Sequence, residues 1–168
     1  MKRIGLLSDT HGFFDPRLLE HFKECDEVWH AGDWGDGVAD QIESNFKIVR
    51  GVYGNIDGRT VRAVYPEDLF FECEGLNVFI THIGGYPGRY ASKVKEKIAA
   101  FNAGLFICGH SHILKVMPDK QRPGLLHINP GAGGISGFHV FRTAMRFGIE
   151  KGIVKNLEVI QLGKRGAL

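Results

Sequence analysis

The chain has little cysteine, little charge imbalance and no long apolar run. Only 3 of its 168 residues are cysteine, and Cys25, Cys73 and Cys108 are widely spaced with no Cys-x-x-Cys. So few, odd in number, they exclude a disulfide scaffold and a thiolate zinc site, and a reducing, cytoplasmic setting is expected. Its 21 Lys+Arg against 19 Asp+Glu leave a formal net charge of +2, without the basic excess of a nucleic-acid binder. No apolar stretch approaches the ~20 residues of a membrane span. The run at Met1 to Leu7 is too brief for a secretion signal, so neither membrane nor export is expected. At this length residues 1–168 form one ordinary domain, which needs no staple because it buries about two-thirds of its unfolded surface. What is plentiful is histidine, 8 residues, and glycine, 23 residues. Histidine is the commonest metal ligand, and glycine lets the backbone pass close to a ligand.

The apolar periods alternate between strand-like and helix-like. Strands are expected at Arg3–Leu7, Glu27–His30 and Lys47–Val52. Helices are expected after the Asp15-Pro16 cap, with Leu18, Leu19 and Phe22 apolar, and over Val38–Phe46. Beyond Gly58 hairpins dominate: Leu69–Cys73 with Asn77–Thr81 around Glu74-Gly75-Leu76, and Ala144–Glu150 with Asn156–Leu162. Between them lie a helix over Tyr90–Phe101, a fully apolar strand over Leu105–Cys108, and strands at Ile113–Met117 and Leu125–Ile128. Gly163 to Leu168 reads as a polar tail. The pattern is α/β, with a mixed sheet or two sheets face to face and helices outside. Its hairpin edges could pair with a second copy, making a homo-oligomer.

Five apolar runs stop at a loop that sets Asp, Asn or His beside glycine. These are Asp9-Thr10-His11-Gly12, Gly32-Asp33, Gly54-Asn55, His82 before Gly84-Gly85, and Gly109-His110-Ser111-His112. Strand ends in open α/β sheets meet along one crevice, so the five loops should converge. Asp9 and His11 share a face only if the chain leaves strand geometry there, and so do His110 and His112. Taken singly, each residue has a plainer use: a cap for Asp9, turns for Asp33 and Asn55, a satisfied strand-end histidine for His82. Jointly they offer two carboxylates, one amide and four imidazoles. Such an N/O set suits Mn, Fe, Zn, Co or Ni. It is too large for one ion with open positions and suits two ions about 3.5–4 Å apart sharing a carboxylate.

In these blocks the sequence resembles the calcineurin-like metallophosphoesterases, whose ordered pattern is D-x-H, GD, GN-x-[DE], a histidine after a strand, and GHxH. The short length and Asn129-Pro130-Gly131 resemble the small bacterial and archaeal phosphodiesterase branch, to which a retromer scaffold subunit is related. The resemblance implies a four-layer α-β-β-α sandwich of two mixed sheets with helices on the outer faces. It implies two divalent ions, Mn²⁺ foremost, with Zn²⁺, Fe²⁺, Ni²⁺ or Co²⁺ as alternatives. Asp9, His11 and His112 would hold the first, Asn55, His82 and His110 the second, and Asp33 would bridge. Asp33 and Asn55 would serve catalysis, with His30, Asp57 and Asn129 in support. The expected activity is hydrolysis of small-molecule phosphodiesters by hydroxide generated between the ions; the alternatives are a phosphomonoesterase or a non-catalytic protein-binding scaffold. One position departs from the pattern of many members: after Gly54-Asn55 stands Ile56, not the histidine that protonates the leaving group. A preference for aryl-type leaving groups follows.

Overall fold

The first three apolar runs become parallel neighbours. In the computed structural model, which describes residues 1–166, they are β1 (Lys2–Leu7), β2 (Glu27–His30) and β3 (Val49–Gly51). Helices α1 (Arg17–His21) and α2 (Val38–Asn45) form the crossovers between them, and α3 (Arg59–Val64) follows. At α1, Asp15 acts as expected of a cap: its Oδ1 accepts the Arg17 N–H at 3.0 Å. Next come the hairpin β4 (Asp68–Cys73) and β5 (Leu76–Thr81), the short ribbon β6 (Gly85–Tyr86) and β7 (Arg89–Tyr90), and α4 (Val94–Phe101). The chain continues through β8 (Leu105–Ile107), β9 (Lys115–Pro118), β10 (Leu126–Asn129), β11 (Phe141–Glu150) and β12 (Ile153–Lys164).

Two five-stranded sheets result, in the orders β12-β11-β1-β2-β3 and β4-β5-β8-β10-β9. In the first, β1, β2 and β3 run parallel at one side and β11 and β12 antiparallel at the other; in the second, parallel β5, β8 and β10 are flanked by antiparallel β4 and β9. Side chains alternate across each strand. Ile4, Leu6 and Trp29 therefore pack inward against Val78, Ile80, Leu105 and Ile107 of the other sheet. Trp29 meets Phe71 edge-on across this seam, ring centroids 5.0 Å apart. Leu7 and Val28 point outward against Leu18 and Phe22 of the α1 segment and Val38 and Ile42 of α2. Phe79 and Phe106 likewise cover Val94 and Ile98 of α4, each buried ring contributing about 1.5–3 kcal/mol. The layers run helix, sheet, sheet, helix, as expected of this fold.

Three expectations need correcting. The helix expected over Tyr90–Phe101 starts only at Val94. Pro87-Gly88, with Gly88 at φ 91°, turns the chain back so that Arg89 and Tyr90 pair with Tyr86 and Gly85. α3 was not anticipated, because none of its residues is fully buried and no apolar stripe marks it. Gly163 and Lys164 extend β12 rather than forming a tail, while Ala167 and Leu168 lie outside the described residues.

Candidate metal centre

The five polar loops converge because the backbone leaves strand geometry where the sequence requires it. Asp9, His11, Asp33, His110 and His112 all have positive φ, between 48° and 67°. They are half of the non-glycine residues so disposed among the described residues. The left-handed region costs a non-glycine residue about 1–3 kcal/mol, so these loops hold only because neighbouring bonds fix them. The loops after β1 and β2 run side by side through Asp9 N–H to Gly32 O (3.0 Å), His11 N–H to Asp33 O (3.1 Å) and Gly12 N–H to Trp34 O (2.8 Å). Asp9 and His11 thereby turn to one side, as do His110 and His112.

Each carboxylate commits one oxygen to the scaffold and turns the other inward. Asp9 Oδ2 accepts Ser8 Oγ–H at 2.7 Å and His110 N–H at 3.0 Å. Asp9 Oδ1 is buried with no hydrogen-bond partner. Asp33 Oδ1 accepts the Ile56 N–H at 3.0 Å, leaving Oδ2 for the site. Glycine precedes these ligands because the oxygens occupy the space of a side chain. A Cβ on Gly54 would lie 2.0 Å from Asp33 Oδ1, and one on Gly109 2.0 Å from Ser8 Oγ and 2.7 Å from Asp9 Oδ2.

The donors fall into two sets, Asp9–His11–His112 and Asp33–His82–His110, the donor atoms of each lying within 4.8 Å of one another. In the first, His112 Nε2 stands 3.2 Å from Asp9 Oδ1 and 3.3 Å from His11 Nε2. In the second, His82 Nε2 is 3.2 Å from Asp33 Oδ2. Asn55 joins this set: its Oδ1 is 3.1 Å from His82 Nε2 and 3.0 Å from His110 Nδ1. Asp33 Oδ2 also comes within 3.6 Å of His11 Nε2, so one carboxylate faces both sets. All seven expected ligands are therefore together. His82 Nδ1 donates to Ala31 O at 2.8 Å, which turns the Nε2 lone pair toward Asp33. Acceptors facing acceptors call for a cation between them, and the orphaned Asp9 oxygen calls for another, so the donor set fits two divalent ions.

The charges agree. Burial alone would raise Asp9, yet the facing His11 and His112 imidazoles hold its carboxyl well below the usual range. Burial likewise opposes Asp33, and His82 outweighs it and lowers its pKa. Contact with Asp9 raises the pKa of His11. For His82, burial works downward and is outweighed by Asp33, for a net rise.

The supporting residues brace loops. His30 is fully buried; its Nε2 is 2.9 Å from Thr10 Oγ1 and its Nδ1 accepts the Gly32 N–H at 3.1 Å. Burial pushes its pKa down to about 3, so it is neutral. Asp57 ties two ligand loops together, accepting Gly54 N–H at 2.7 Å and Gly35 N–H at 3.0 Å. Asn129 Nδ2 donates to Gly109 O at 2.9 Å, holding the His110–His112 loop. His127 is elsewhere, buried in β10 and stacked on Phe106.

His139 was missed. Its Nε2 donates to Gly134 O at 2.9 Å, leaving Nδ1 as an acceptor 3.2 Å from His112 Nδ1. His112 must then carry its proton on Nδ1 and present its Nε2 lone pair to Asp9 and His11. No sequence signal marks His139, since it lies in the irregular Gly134–Val140 stretch and follows no strand end.

The comparisons with known proteins agree with this fold. A solved structure described as a novel archaeal phosphodiesterase matches with TM-score 0.72 and 24% identity, over 95% of this chain and 99% of that one. A predicted phosphoesterase from Streptococcus pneumoniae TIGR4 matches with TM-score 0.70 and 23% identity, over 95% and 89%. Vps29 from Entamoeba histolytica, in complex with Zn²⁺, matches with TM-score 0.69 and 16% identity, over 95% and 98%. At such identities these likenesses speak for the fold. No curated protein matches the chain. The model of the calcineurin-like phosphoesterase superfamily domain matches residues 1–152, and with both sheets and the converging ligand loops in place, the chain belongs to that superfamily.

Proposed function

We propose that the protein is a phosphodiesterase that hydrolyses small-molecule phosphodiesters with two divalent ions, Mn²⁺ foremost. The observation that carries this reading is Asp33 Oδ2, which faces His82 at 3.2 Å and His11 at 3.6 Å and so joins two complete donor sets. Asp9, His11 and His112 would hold one ion, Asn55, His82 and His110 the other, with Asp33 between. When bound, such ions act as Lewis acids on the phosphate and make a water acidic enough to supply a nucleophile at neutral pH.

The chain's own residues do the rest. Asn55, an exposed residue, turns its Oδ1 to His82 and His110, which leaves Nδ2 to donate to a phosphoryl oxygen and fix the phosphorus for in-line attack. Ile56, next to Asn55, is 46% exposed. Its side chain has no proton to give, and its backbone N–H is committed to Asp33. General acid catalysis contributes about 10²–10⁴-fold, so without it leaving groups stable as anions, such as phenolates, are favoured. A Mn²⁺-supplemented assay of matched aryl and alkyl diesters tests this. Fast release of the aryl group is expected; equal rates on alkyl diesters would overturn the leaving-group assignment. Absence of both bound metal and hydrolysis would favour a scaffold.

A further inference from the structure

Asn55 stands apart among the donors of the second set. It is exposed, so packing does not hold it. Its amide oxygen brings no net charge, so what it adds to a metal site depends on how firmly it is held in place. The holding falls to the backbone of the Gly54–Asp57 turn.

That turn is tied from two sides. On one side, Asp33 Oδ1 takes the Ile56 N–H at 3.0 Å, and the Asp57 carboxylate takes Gly35 N–H at 3.0 Å and Gly54 N–H at 2.7 Å. Asp33 and Gly35 belong to the loop after β2, which faces both donor sets. On the other side stands Arg62 of α3. Its Nε donates to Asp57 O at 2.7 Å and its Nη2 to Gly54 O at 3.2 Å. These two carbonyls flank Asn55-Ile56, so one planar guanidinium sets the span of the turn with two charge-assisted bonds. The guanidinium is itself steadied over the Tyr53 ring, 4.3 Å from its centroid. Among the described residues, Arg62 makes these hydrogen bonds to the Asn55 turn and to no other ligand loop. This gives α3 a use, although none of its residues is buried.

We infer that Arg62 is a positioning residue for Asn55: by spanning the Gly54 and Asp57 carbonyls it sets the affinity of the ion held by Asn55, His82 and His110, and of that ion alone. This rests on the two-ion reading above. The test removes the guanidinium and then supplies it again. Arg62 is exposed on its helix, and Arg62→Ala puts the best helix former there, so the fold is kept. Calorimetric titration of the metal-free variant with Mn²⁺ should show the second ion bound about 10–100-fold more weakly and the first with parental affinity. In His82→Ala protein, where the second set is already broken, adding Arg62→Ala should change nothing. Arg62 shares a cavity of about 280 Å³ with Tyr53 and Asn55, so a small cation can take the place of the missing group. Added methylguanidinium should restore the second ion in Arg62→Ala. Methylammonium, equal in charge but without the planar fork, should not. Parental affinity for both ions in Arg62→Ala, an equal loss at both sites, or equal rescue by the two cations overturns the assignment. Metal affinity is read without turnover. The expected pattern in a protein that hydrolyses no diester would therefore strike the phosphodiesterase reading and leave Arg62 in its role.

Discussion

Asp33 shows how one side chain can serve two masters. Its Oδ1 holds the Asn55–Ile56 loop through the Ile56 N–H, and its Oδ2 faces His11 and His82. Asp33→Asn keeps the shape and an oxygen for Ile56 while removing the charge. Turnover should vanish, with the circular dichroism spectrum unchanged and the thermal midpoint close to that of the parent. Undiminished turnover would remove the two-ion mechanism. His139 acts at one remove, through the tautomer of His112. His139→Ala should weaken binding of the ion held by Asp9, His11 and His112 by about 10–100-fold, the usual effect of losing a residue that orients a ligand. Competitive titration against a metallochromic indicator reads this directly; a variant binding both ions with parental affinity would show that His112 needs no orienting partner.

At the scale of elements, the site is a set of strand ends, which is why so much of it could be read in advance. An apolar run that stops at glycine beside Asp, Asn or His is a local signal, and the convergence of such runs follows from parallel sheet topology. The elements that escaped notice lack such a signal. α3 has no buried residue, although it brings Arg62 to the cavity beside Asn55. The β6–β7 ribbon has two residues per strand and depends on Pro87-Gly88. His139 meets His112 only through the path of an irregular loop, which no periodicity encodes. The glycines could be noticed in the sequence, but their cause becomes visible only in the packing. Gly54→Ala would bring a Cβ to 2.0 Å from Asp33 Oδ1. That overpacking should cost about 1–3 kcal/mol and displace Asp33 from one or both donor sets. A lower denaturant midpoint together with a lower metal stoichiometry is expected; full stoichiometry would mean that the loop relaxes without moving the carboxylate.

Across the whole molecule, the two ends of the chain are joined by one buried charge cluster. Asp15, just before α1, accepts Arg142 Nη1 of β11 at 2.6 Å and Arg17 Nη2 at 2.6 Å. Arg142 Nη2 continues to Leu162 O of β12 at 2.8 Å. The Asp15 and Arg142 side chains are only 4% and 1% exposed. The hydrogen bonds from Arg17, aided by Arg142 and opposed by burial, hold the Asp15 carboxyl well below the usual carboxylate range. A carboxyl with a depressed folded pKa stabilises the fold above its unfolded value of about 3.9, and that stability is lost as pH falls toward the folded value. Asp15→Asn should therefore be less stable than the parent by about 3–5 kcal/mol at pH 7, because Arg142 stays buried beside a neutral group. The gap should close as pH drops below about 4. Urea midpoints at neutral pH and at successively lower pH measure it, and a gap constant with pH would show that Asp15 does not titrate with unfolding. The consequence reaches the metal site. Next to Arg142, Thr143 holds Ala132 O and Pro130 O at 2.8 and 2.7 Å, and Gly134 N–H in the same loop donates to Asp9 O at 3.1 Å. A weakened Asp15–Arg142 cluster therefore loosens the backbone behind Asp9, so Asp15→Asn should lose metal retention along with stability already at neutral pH.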